Sequence, residues 1–263
     1  MLGAIIGDLA GSIYEYDQIK NHKEINVGNI IEENAFYSDD TILTVAIADA
    51  ILSHSNYEDK LKEYTLKYEN YKPSFAPYFK TTFSPNFIKW AKDETSGSSS
   101  GNGAMMRVSP IGYLFNSEEE VIENAYLATA SSHNSESAIR CATTIALMIF
   151  YARNGISKDE IKDRLNLNIT KPQVSKFNCT CDDTIDLCLY SIFNSNSFED
   201  SIKLAISFGG DTDTNACIVG SVAEAFYGID EELRQSAKEK LPSEFNHVID
   251  GFYKSLDQPE NIK

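Results

Sequence analysis

The chain has no long apolar run and no excess of positive charge. Its apolar stretches are all shorter than the ~18 residues that a membrane span needs, and its first residues include Asp8 and lack the basic leader of a signal peptide. With 23 basic and 39 acidic residues, the formal net charge is −16. A general binder of the phosphate backbone of nucleic acids would need a basic face. We therefore expect a cytoplasmic protein that does not contact membranes and does not bind nucleic acid in general.

Soft metal ligands are also scarce. The five cysteines are an odd number without the spacing of a disulfide framework, and none of the four histidines lies near the only close pair, Cys179 and Cys181. Zinc prefers His and Cys ligands. The sequence therefore predicts no zinc site, and we expect the thiols to be structural or incidental.

Strand patterns are missing as well. No alternation of apolar and polar residues extends over any length, and no period of roughly 20–50 residues repeats. We predict an all-α fold in one compact domain, residues 1–263, in which only 166–182 is compatible with a short strand. Residues 95–103 are rich in Gly and Ser and are predicted to form a loop. Apolar spacing and capping residues predict helices over 4–14, 40–52, 56–71, 86–92, 117–130, 136–153, 157–165, 184–193, 198–207, 215–227, 231–240 and 243–256.

Two short acidic phrases stand out, Ser38-Asp39-Asp40-Thr41 and the phrase Gly209–Thr214, which contains Asp211 and Asp213. Each precedes a run with helical spacing, so each can cap a helix N-terminus. A cap needs one oxygen, however, and each phrase offers two carboxylates between hydroxyls. Such oxygen ligands suit a hard cation such as Mg²⁺ or Ca²⁺. If the phrases meet in space, we expect cations between them.

Five motifs occur in the order seen in a known family: GAIIGDLAGSIYE, SDDT, GNGAMMR, SSHN and GGDTDTNA. Across residues 3–228 the chain resembles the ADP-ribosylglycohydrolases, which include the dinitrogenase-reductase-activating glycohydrolase and the ADP-ribosyl-acceptor hydrolases. The resemblance implies an all-helical domain with two magnesium ions in a cleft. It also implies hydrolysis of the bond that joins C1″ of an ADP-ribosyl group to a protein side chain or another acceptor.

The resemblance assigns the metal ligands residue by residue. The family usually has Thr at the first position of the first phrase, and Ser38 keeps the hydroxyl there. Asp8 matches a carboxylate that orients metal ligands or water, although an Asp on a buried helix can equally bond the end of a neighbouring helix. The implied metal ligands are Ser38, Asp39, Asp40, Asp211, Asp213 and Thr214.

Glu15 resembles a glutamate of the branch that includes the serine-ADP-ribose hydrolase, in which this residue lies on a mobile flap near the metals. The alternative interpretation is a solvent-facing Glu at a helix end. Hydrolysis at C1″ needs one group that activates water and one that protonates the leaving atom. Glu15 can handle the proton, or Asp39 or Asp213 can act as the base through a bound water; the sequence leaves these alternatives open.

The resemblance implies that the loop beginning at Ser98 contacts the ligand. A Gly-rich loop can offer successive backbone N–H groups to a diphosphate. His133 matches a histidine that contacts ADP-ribose in the family. Arg107 can anchor the loop through an ion pair or meet a phosphate, and both remain open. No aromatic residue is singled out for stacking on adenine. The implied substrate-binding residues are Gly101, Asn102, Gly103, Ala104, Met105 and His133.

The sequence therefore predicts a Mg²⁺-dependent hydrolase that releases ADP-ribose from an ADP-ribosylated acceptor. The alternatives are a catalytically silent ADP-ribose or nucleotide binder on the same fold, and a structural helical protein. Residues 166–182 and 134–136 depart from common relatives, so the acceptor stays open between serine, arginine, a nucleic-acid end, O-acetyl-ADP-ribose and a small molecule. Nothing in the sequence indicates an oligomer.

Overall fold

A computed structural model describes residues 1–21, 25–73, 81–173 and 177–257, with the backbone alone for 16–21. These residues form helices and no strand. No helix in this part of the chain is both long enough and apolar enough to cross a membrane. In chain order the helices are α1 (Leu2–Asn21), α2 (Asp39–Leu52), α3 (Tyr57–Lys67), α4 (Pro85–Ala91), α5 (Gly103–Met106), α6 (Ser109–Leu114), α7 (Glu118–Ala130), α8 (Glu136–Arg153), α9 (Lys158–Arg164), α10 (Cys181–Phe193), α11 (Phe198–Ser207), α12 (Thr212–Tyr227), α13 (Glu231–Glu239) and α14 (Ser243–Leu256).

The first helix and α12 form the central antiparallel pair. Gly7 of α1 lies against the backbone of Ala216, and Gly11 lies against the backbone of Thr212. A Cβ at either glycine would overlap those backbone atoms, so only glycine allows this approach. The Thr212 hydroxyl donates to the carbonyl oxygen of Gly11 at 2.8 Å. The start of α12 is thereby fixed beside the second half of α1.

The other end of this pair is joined by a buried carboxylate. Glu224 of α12 accepts from the amino group of Met1 at 2.7 Å and from the N–H of Gly3 at 2.8 Å. The Tyr253 hydroxyl of α14 donates to the same carboxylate. Because three elements share these bonds, the acid sets how α1, α12 and α14 lie relative to one another.

The second helix is buried over almost its whole length and packs against α1, α3 and α14. Its N-cap is Ser38, whose hydroxyl oxygen accepts from the N–H of Asp40 at 3.2 Å. Capping residues also explain other helix starts, including the reciprocal box of Ser117 and Glu120 at the start of α7. Local capping thus places the N-termini, and burial of the apolar faces assembles them.

The predicted all-α fold is confirmed, with differences at particular segments. Helix α12 begins three residues before the predicted start at 215, so Asp213 lies inside its first turn. Helices α5 and α6 were not predicted, because four and six residues are too few to show a period. The described part of 166–182 contains no strand, only an isolated bridge between Thr180 and Gly101. Residues 74–80, which lie between the helices predicted at 56–71 and 86–92, are outside the described residues.

Candidate active site

One cavity of about 360 Å³ opens where the N-terminal ends of α2 and α12 meet. The Thr214 hydroxyl donates to Oδ2 of Asp40 at 3.1 Å, so the two acidic phrases are in direct contact although 174 positions separate these residues. All six predicted metal ligands and Glu15 line this cavity.

Asp8 of α1 holds the first phrase in place. Its Oδ2 accepts from the N–H of Ser38 at 2.8 Å and from the N–H of Thr41 at 3.1 Å, and its Oδ1 accepts from the Ser38 hydroxyl at 2.8 Å. These donors belong to the N-terminus of α2, where a carboxylate is stabilised by free N–H groups and by the helix dipole. Bonding of a neighbouring helix end, one of the two roles left open for Asp8, is therefore observed.

The carboxylates form two overlapping groups. Oxygen atoms of Asp8, Asp40 and Asp213 lie within 4.8 Å of one another, and so do oxygen atoms of Glu15, Asp211 and Asp213. Among the described residues, none of these five acids forms an ion pair. Buried like charges at this separation are costly unless a proton or a cation neutralises them.

The pKa values show this cost. Burial, with Asp213 and then Asp211 as the nearest charges, raises the pKa of Glu15 to about 11. Burial and the charge of Asp213 raise the pKa of Asp39 to about 8 and that of Asp8 to about 7. The same two causes hold the pKa values of Asp40 and Asp211 well above the ordinary range. In the protein alone, the cluster cannot be fully ionised at neutral pH.

The donor set fits a hard divalent cation. Oδ1 of Asp40 is buried and has no hydrogen-bond partner among the described residues, which is costly for a carboxylate oxygen. The surrounding donors are carboxylate and hydroxyl oxygens, the ligands that Mg²⁺ and Ca²⁺ accept. Asp39 is fixed separately, because its N–H donates to the Thr82 hydroxyl at 2.7 Å and its Oδ1 accepts from that hydroxyl at 3.0 Å. A cation would supply the partner that the buried oxygen lacks.

Two asparagines support Asp211. The side-chain amide of Asn102 donates to Oδ2 of Asp211 at 2.7 Å, and the backbone N–H of Asp211 donates to Oδ1 of Asn178 at 3.0 Å. Asn178 also donates to Oδ1 of Asn215 at 2.7 Å. Sequence reasoning missed Asn178, because it lies in a polar segment without a motif and reaches the site only through tertiary contacts.

The Gly-rich loop differs from the expected cradle. The N–H groups of Ser99, Gly101, Asn102, Ala104 and Met105 already donate to protein acceptors. The prediction of successive free N–H groups over 98–105 is therefore wrong. The physical reason is that the loop is tied to the Cys179 carbonyl and then turns into α5. Within the described residues, only the N–H groups of Ser100 and Gly103 in this stretch have no acceptor.

The predicted substrate-binding residues divide into two groups. Gly101, Asn102, Gly103 and His133 line the cavity, whereas Ala104 and Met105 are fully buried in the core and do not. Met106 lines the cavity instead. The helical turn of α5 explains the difference, since successive side chains point in different directions on a helix.

Arg107 is fully buried at the edge of the cavity. Its Nη2 donates to the carbonyl oxygen of Ala128 at 3.1 Å and to the Ser132 hydroxyl at 2.6 Å. No carboxylate among the described residues pairs with it, so the expected alternative of an ion pair is absent there. Burial lowers the pKa of the guanidinium to about 9.

Aromatic side chains form part of the wall, a feature the sequence could not localise. Four phenylalanines among the described residues line the cavity, and no tyrosine does: Phe36, Phe83, Phe87 and Phe177. A planar base can stack on such rings. The cavity therefore combines an acidic end, the loop residue Gly103, whose N–H group has no acceptor among the described residues, and apolar ring surfaces.

Comparisons with known proteins agree with one family. The ADP-ribosylglycohydrolase family model matches residues 1–260. The chain is 22% identical to ADP-ribosylhydrolase ARH3 of Mus musculus, over 96% of this chain and 86% of that protein. It is 23% identical to the ADP-ribosylarginine hydrolase Tri1 of Pseudomonas putida (strain GB-1), over 87% of this chain and 70% of that one. A solved structure described as an ADP-ribosylglycohydrolase-related protein complex shares the fold, with a TM-score of 0.69 at 17% identity over 96% of this chain and 95% of that chain.

Proposed function

Because this chain belongs to the ADP-ribosylglycohydrolase family, we propose that it is a Mg²⁺-dependent hydrolase that cleaves the C1″ bond of an ADP-ribosylated acceptor and releases ADP-ribose. The reaction adds water across that bond: C1″ takes the hydroxyl, and the acceptor atom takes the proton. The supporting observation is that one cavity joins the acidic cluster to the Gly101–Gly103 loop and to aromatic walls.

The proposed metal ligands are the residues that meet at the acidic end of the cavity. A bound pair of Mg²⁺ ions would supply positive charge that orients sugar hydroxyls and makes a water more acidic. The Asp8 carboxylate orients Ser38 and the start of α2, while Asn102 and Asn178 orient Asp211. The ligand set in this proposal is Ser38, Asp39, Asp40, Asp211, Asp213 and Thr214.

The proton in this proposal is carried by Glu15. This residue is 8% exposed, lines the cavity and has a carboxyl oxygen within 4.8 Å of oxygens of Asp211 and Asp213. Asp39 and Asp213 are the other candidate bases, because both also line the cavity. A side chain must come within hydrogen-bond reach of the reacting water or leaving atom to act in this way.

Substrate orientation follows from the two ends of the cavity. The acidic end suits a ribose whose hydroxyls meet metal ions, and the N–H group of Gly103, which lines the cavity, suits a phosphate oxygen. The phenylalanines suit a base ring. ADP-ribose contains all three groups, which is why its conjugates fit better than a free sugar or a peptide.

The test is a panel of linkages assayed in Mg²⁺ and in EDTA. Serine-linked, arginine-linked and nucleic-acid-end ADP-ribose and O-acetyl-ADP-ribose are incubated with the protein, and released ADP-ribose is measured by chromatography. We expect release from at least one linkage, lost in EDTA and restored by Mg²⁺. Binding of ADP-ribose without release from any linkage would favour a silent binding protein instead.

A matched pair of variants controls this assay. Asp40→Asn removes a carboxylate from the cavity, whereas Asp49→Asn removes one from the same helix where it pairs with Lys60 at 2.9 Å. We expect release to fall by more than ~100-fold in the first variant, the scale of losing an essential charged group, and to be unchanged in the second. Equal activity in the two variants would contradict the assignment of the acidic cluster.

A further inference from the structure

We propose that Ser132, itself held by Arg107, fixes His133 as the neutral tautomer that carries its hydrogen on Nε2, so that His133 presents a fixed hydrogen-bond donor to the ligand at Gly101 and Gly103. Ser132 and Arg107 are then positioning residues for the ligand site. The inference rests on the proposed function, because ADP-ribose is the ligand whose oxygen would accept from Nε2.

The hydrogen-bond inventory determines the tautomer. Nη2 of Arg107 can only donate, and it donates to the Ser132 hydroxyl oxygen at 2.6 Å. The Ser132 oxygen lies 2.8 Å from Nδ1 of His133. If Nδ1 carried the hydrogen, the single hydroxyl proton of Ser132 would have no acceptor among the described residues. The arrangement that satisfies both groups makes Ser132 the donor and Nδ1 the acceptor.

Charge favours the same arrangement. A second contact joins Nη2 of Arg107 to Nδ1 of His133 at 3.5 Å, so a cationic donor also approaches that nitrogen. Burial, together with the charge of Arg107, holds the pKa of His133 well below its usual value. The imidazole is therefore neutral, and its one hydrogen is on the nitrogen that does not face the guanidinium.

The opposite nitrogen faces the ligand loop. A Cβ added at Gly101 or at Gly103 would lie 3.4 Å from Nε2 of His133, so this nitrogen lies beside both glycines. His133 lines the cavity, and Nε2 has no hydrogen-bond partner among the described residues. The ring is further fixed by Phe87, whose centroid lies 6.0 Å from that of His133.

The tautomer determines which role His133 can have inside the cavity. A neutral imidazole with hydrogen on Nε2 can donate to an oxygen of the bound ligand, and it cannot remove a proton from water through that nitrogen. His133 therefore recognises the ligand and does not act as the base. The N–H group of Gly103, which has no acceptor among the described residues, lines the same cavity, so these two donors address one region of the ligand.

The tautomer can be measured without any ligand. The chain has four histidines, so a long-range proton–nitrogen correlation spectrum of ¹⁵N-labelled protein resolves each ring, and His133→Gln assigns the signal. We expect the pattern of a neutral ring with hydrogen on Nε2 in wild-type protein at neutral pH. A pattern with hydrogen on Nδ1, or that of an imidazolium, would overturn the proposal.

Substitutions at two adjacent serines then test whether Ser132 fixes the tautomer of His133. Ser132→Ala removes the donor to Nδ1; Ser132→Thr keeps it. Ser131→Ala is the matched control, because the Ser131 hydroxyl has no partner among the described residues. We expect Ser132→Ala to give a mixture of tautomers and about tenfold weaker ADP-ribose binding by calorimetry, the scale of losing one hydrogen bond. Ser132→Thr and Ser131→Ala should match wild type in both measurements.

The outcomes separate this inference from the proposed function. An altered tautomer in Ser132→Ala with unchanged ADP-ribose affinity would overturn the role of His133 in ligand binding. An unaltered tautomer in that variant would overturn the inference that Ser132 fixes His133. If wild-type His133 carries its hydrogen on Nε2 but the protein binds no ADP-ribose, the positioning of His133 would be supported and the proposed function contradicted.

Discussion

At the scale of single residues, Glu15 is the acid whose surroundings leave it least compensated. It lies on α1 within 4.8 Å of carboxylate oxygens of Asp211 and Asp213 at the start of α12, and no cationic side chain among the described residues pairs with it. Its neighbours are candidate metal ligands, and its own carboxyl group lines the cavity. A group in this position is suited to exchange a proton with water or with the leaving atom.

We therefore expect Glu15→Gln to lower kcat for ADP-ribose release by more than ~100-fold, because the amide keeps the shape and cannot carry the proton. Mg²⁺ affinity, measured by calorimetry, should fall less than in Asp211→Ala. Glu58→Gln, in the first turn of α3 where Glu58 pairs with Lys62 at 2.6 Å, is the control and should keep wild-type rates. Near-wild-type turnover by Glu15→Gln would transfer the proton role to Asp39 or Asp213.

Asn178 gives a second expectation at this scale. Its side chain accepts from the Asp211 N–H and donates to Asn215, so Asn178→Ala should leave the start of α12 less well fixed. We expect roughly 10–100-fold weaker Mg²⁺ binding, the usual cost of losing a group that orients a ligand. Asn194→Ala, at the exposed end of α10, serves as the control. Unchanged Mg²⁺ affinity in Asn178→Ala would show that Asp211 needs no such support.

These two residues show what the sequence could and could not supply. Glu15 and the acidic phrases belong to motifs, and the structure brings them to one cavity. Asn178 belongs to no motif, and its contact with Asp211 spans 33 positions. The burial of Ala104 and Met105 could not be predicted from the sequence either, because it depends on a four-residue helix that is too short to show a period.

At the scale of elements, the contact between α1 and α12 is close enough to require glycine. Gly7→Ala would place a methyl group against the backbone of Ala216, and backbone cannot move aside as a side chain can. We expect a loss of about 3 kcal/mol in the free energy of unfolding by urea denaturation, the upper range for overpacking, with reduced activity because the start of α12 is displaced.

The control for this substitution is Gly251→Ala in α14. A Cβ there would lie 3.4 Å from the Leu52 side chain, an ordinary contact. Alanine is the better helix former, so we expect a gain of up to about 1 kcal/mol. Equal effects of the two substitutions would contradict the close packing of α1 on α12.

Helix positions were largely predictable because capping and apolar spacing are local signals. The bounds of α8, α11 and α14 match the predicted ranges, and each of these helices has an apolar stripe. The predicted start of α12 lies three residues after the observed one, because Thr and Asp are poor helix formers. The free energy that holds them in the first turn comes from the neighbouring α1. Helix pairing itself was not predictable from periodicity.

At the scale of the whole molecule, the acidic cluster links stability to metal. If Mg²⁺ binds only the folded chain, a concentration of 100 times Kd should raise the free energy of unfolding by about 2.7 kcal/mol. In EDTA, Asp40→Asn should be at least as stable as wild type, because it removes one of several crowded carboxylates. In Mg²⁺ the order should reverse.

Thermal unfolding of wild type and Asp40→Asn, with and without Mg²⁺, measures how the ion changes their relative stability. Asp49→Asn is the control, since it breaks an outlying ion pair with Lys60 and should cost below about 1 kcal/mol in either condition. A wild-type Tm that is insensitive to Mg²⁺ would argue against metal binding at the cluster.

The antiparallel pairing of α1 with α12 also bears on biosynthesis. The Thr212 hydroxyl and the Gly11 carbonyl are 201 positions apart, so at about 5–20 residues per second the ribosome needs roughly 10–40 s to deliver the partner of the first helix. During that interval α1 can contact α2, but the face that packs on α12 lacks its native partner. Chaperone occupancy of emerging chains should therefore persist until synthesis has passed α12, and chains truncated before that helix should aggregate.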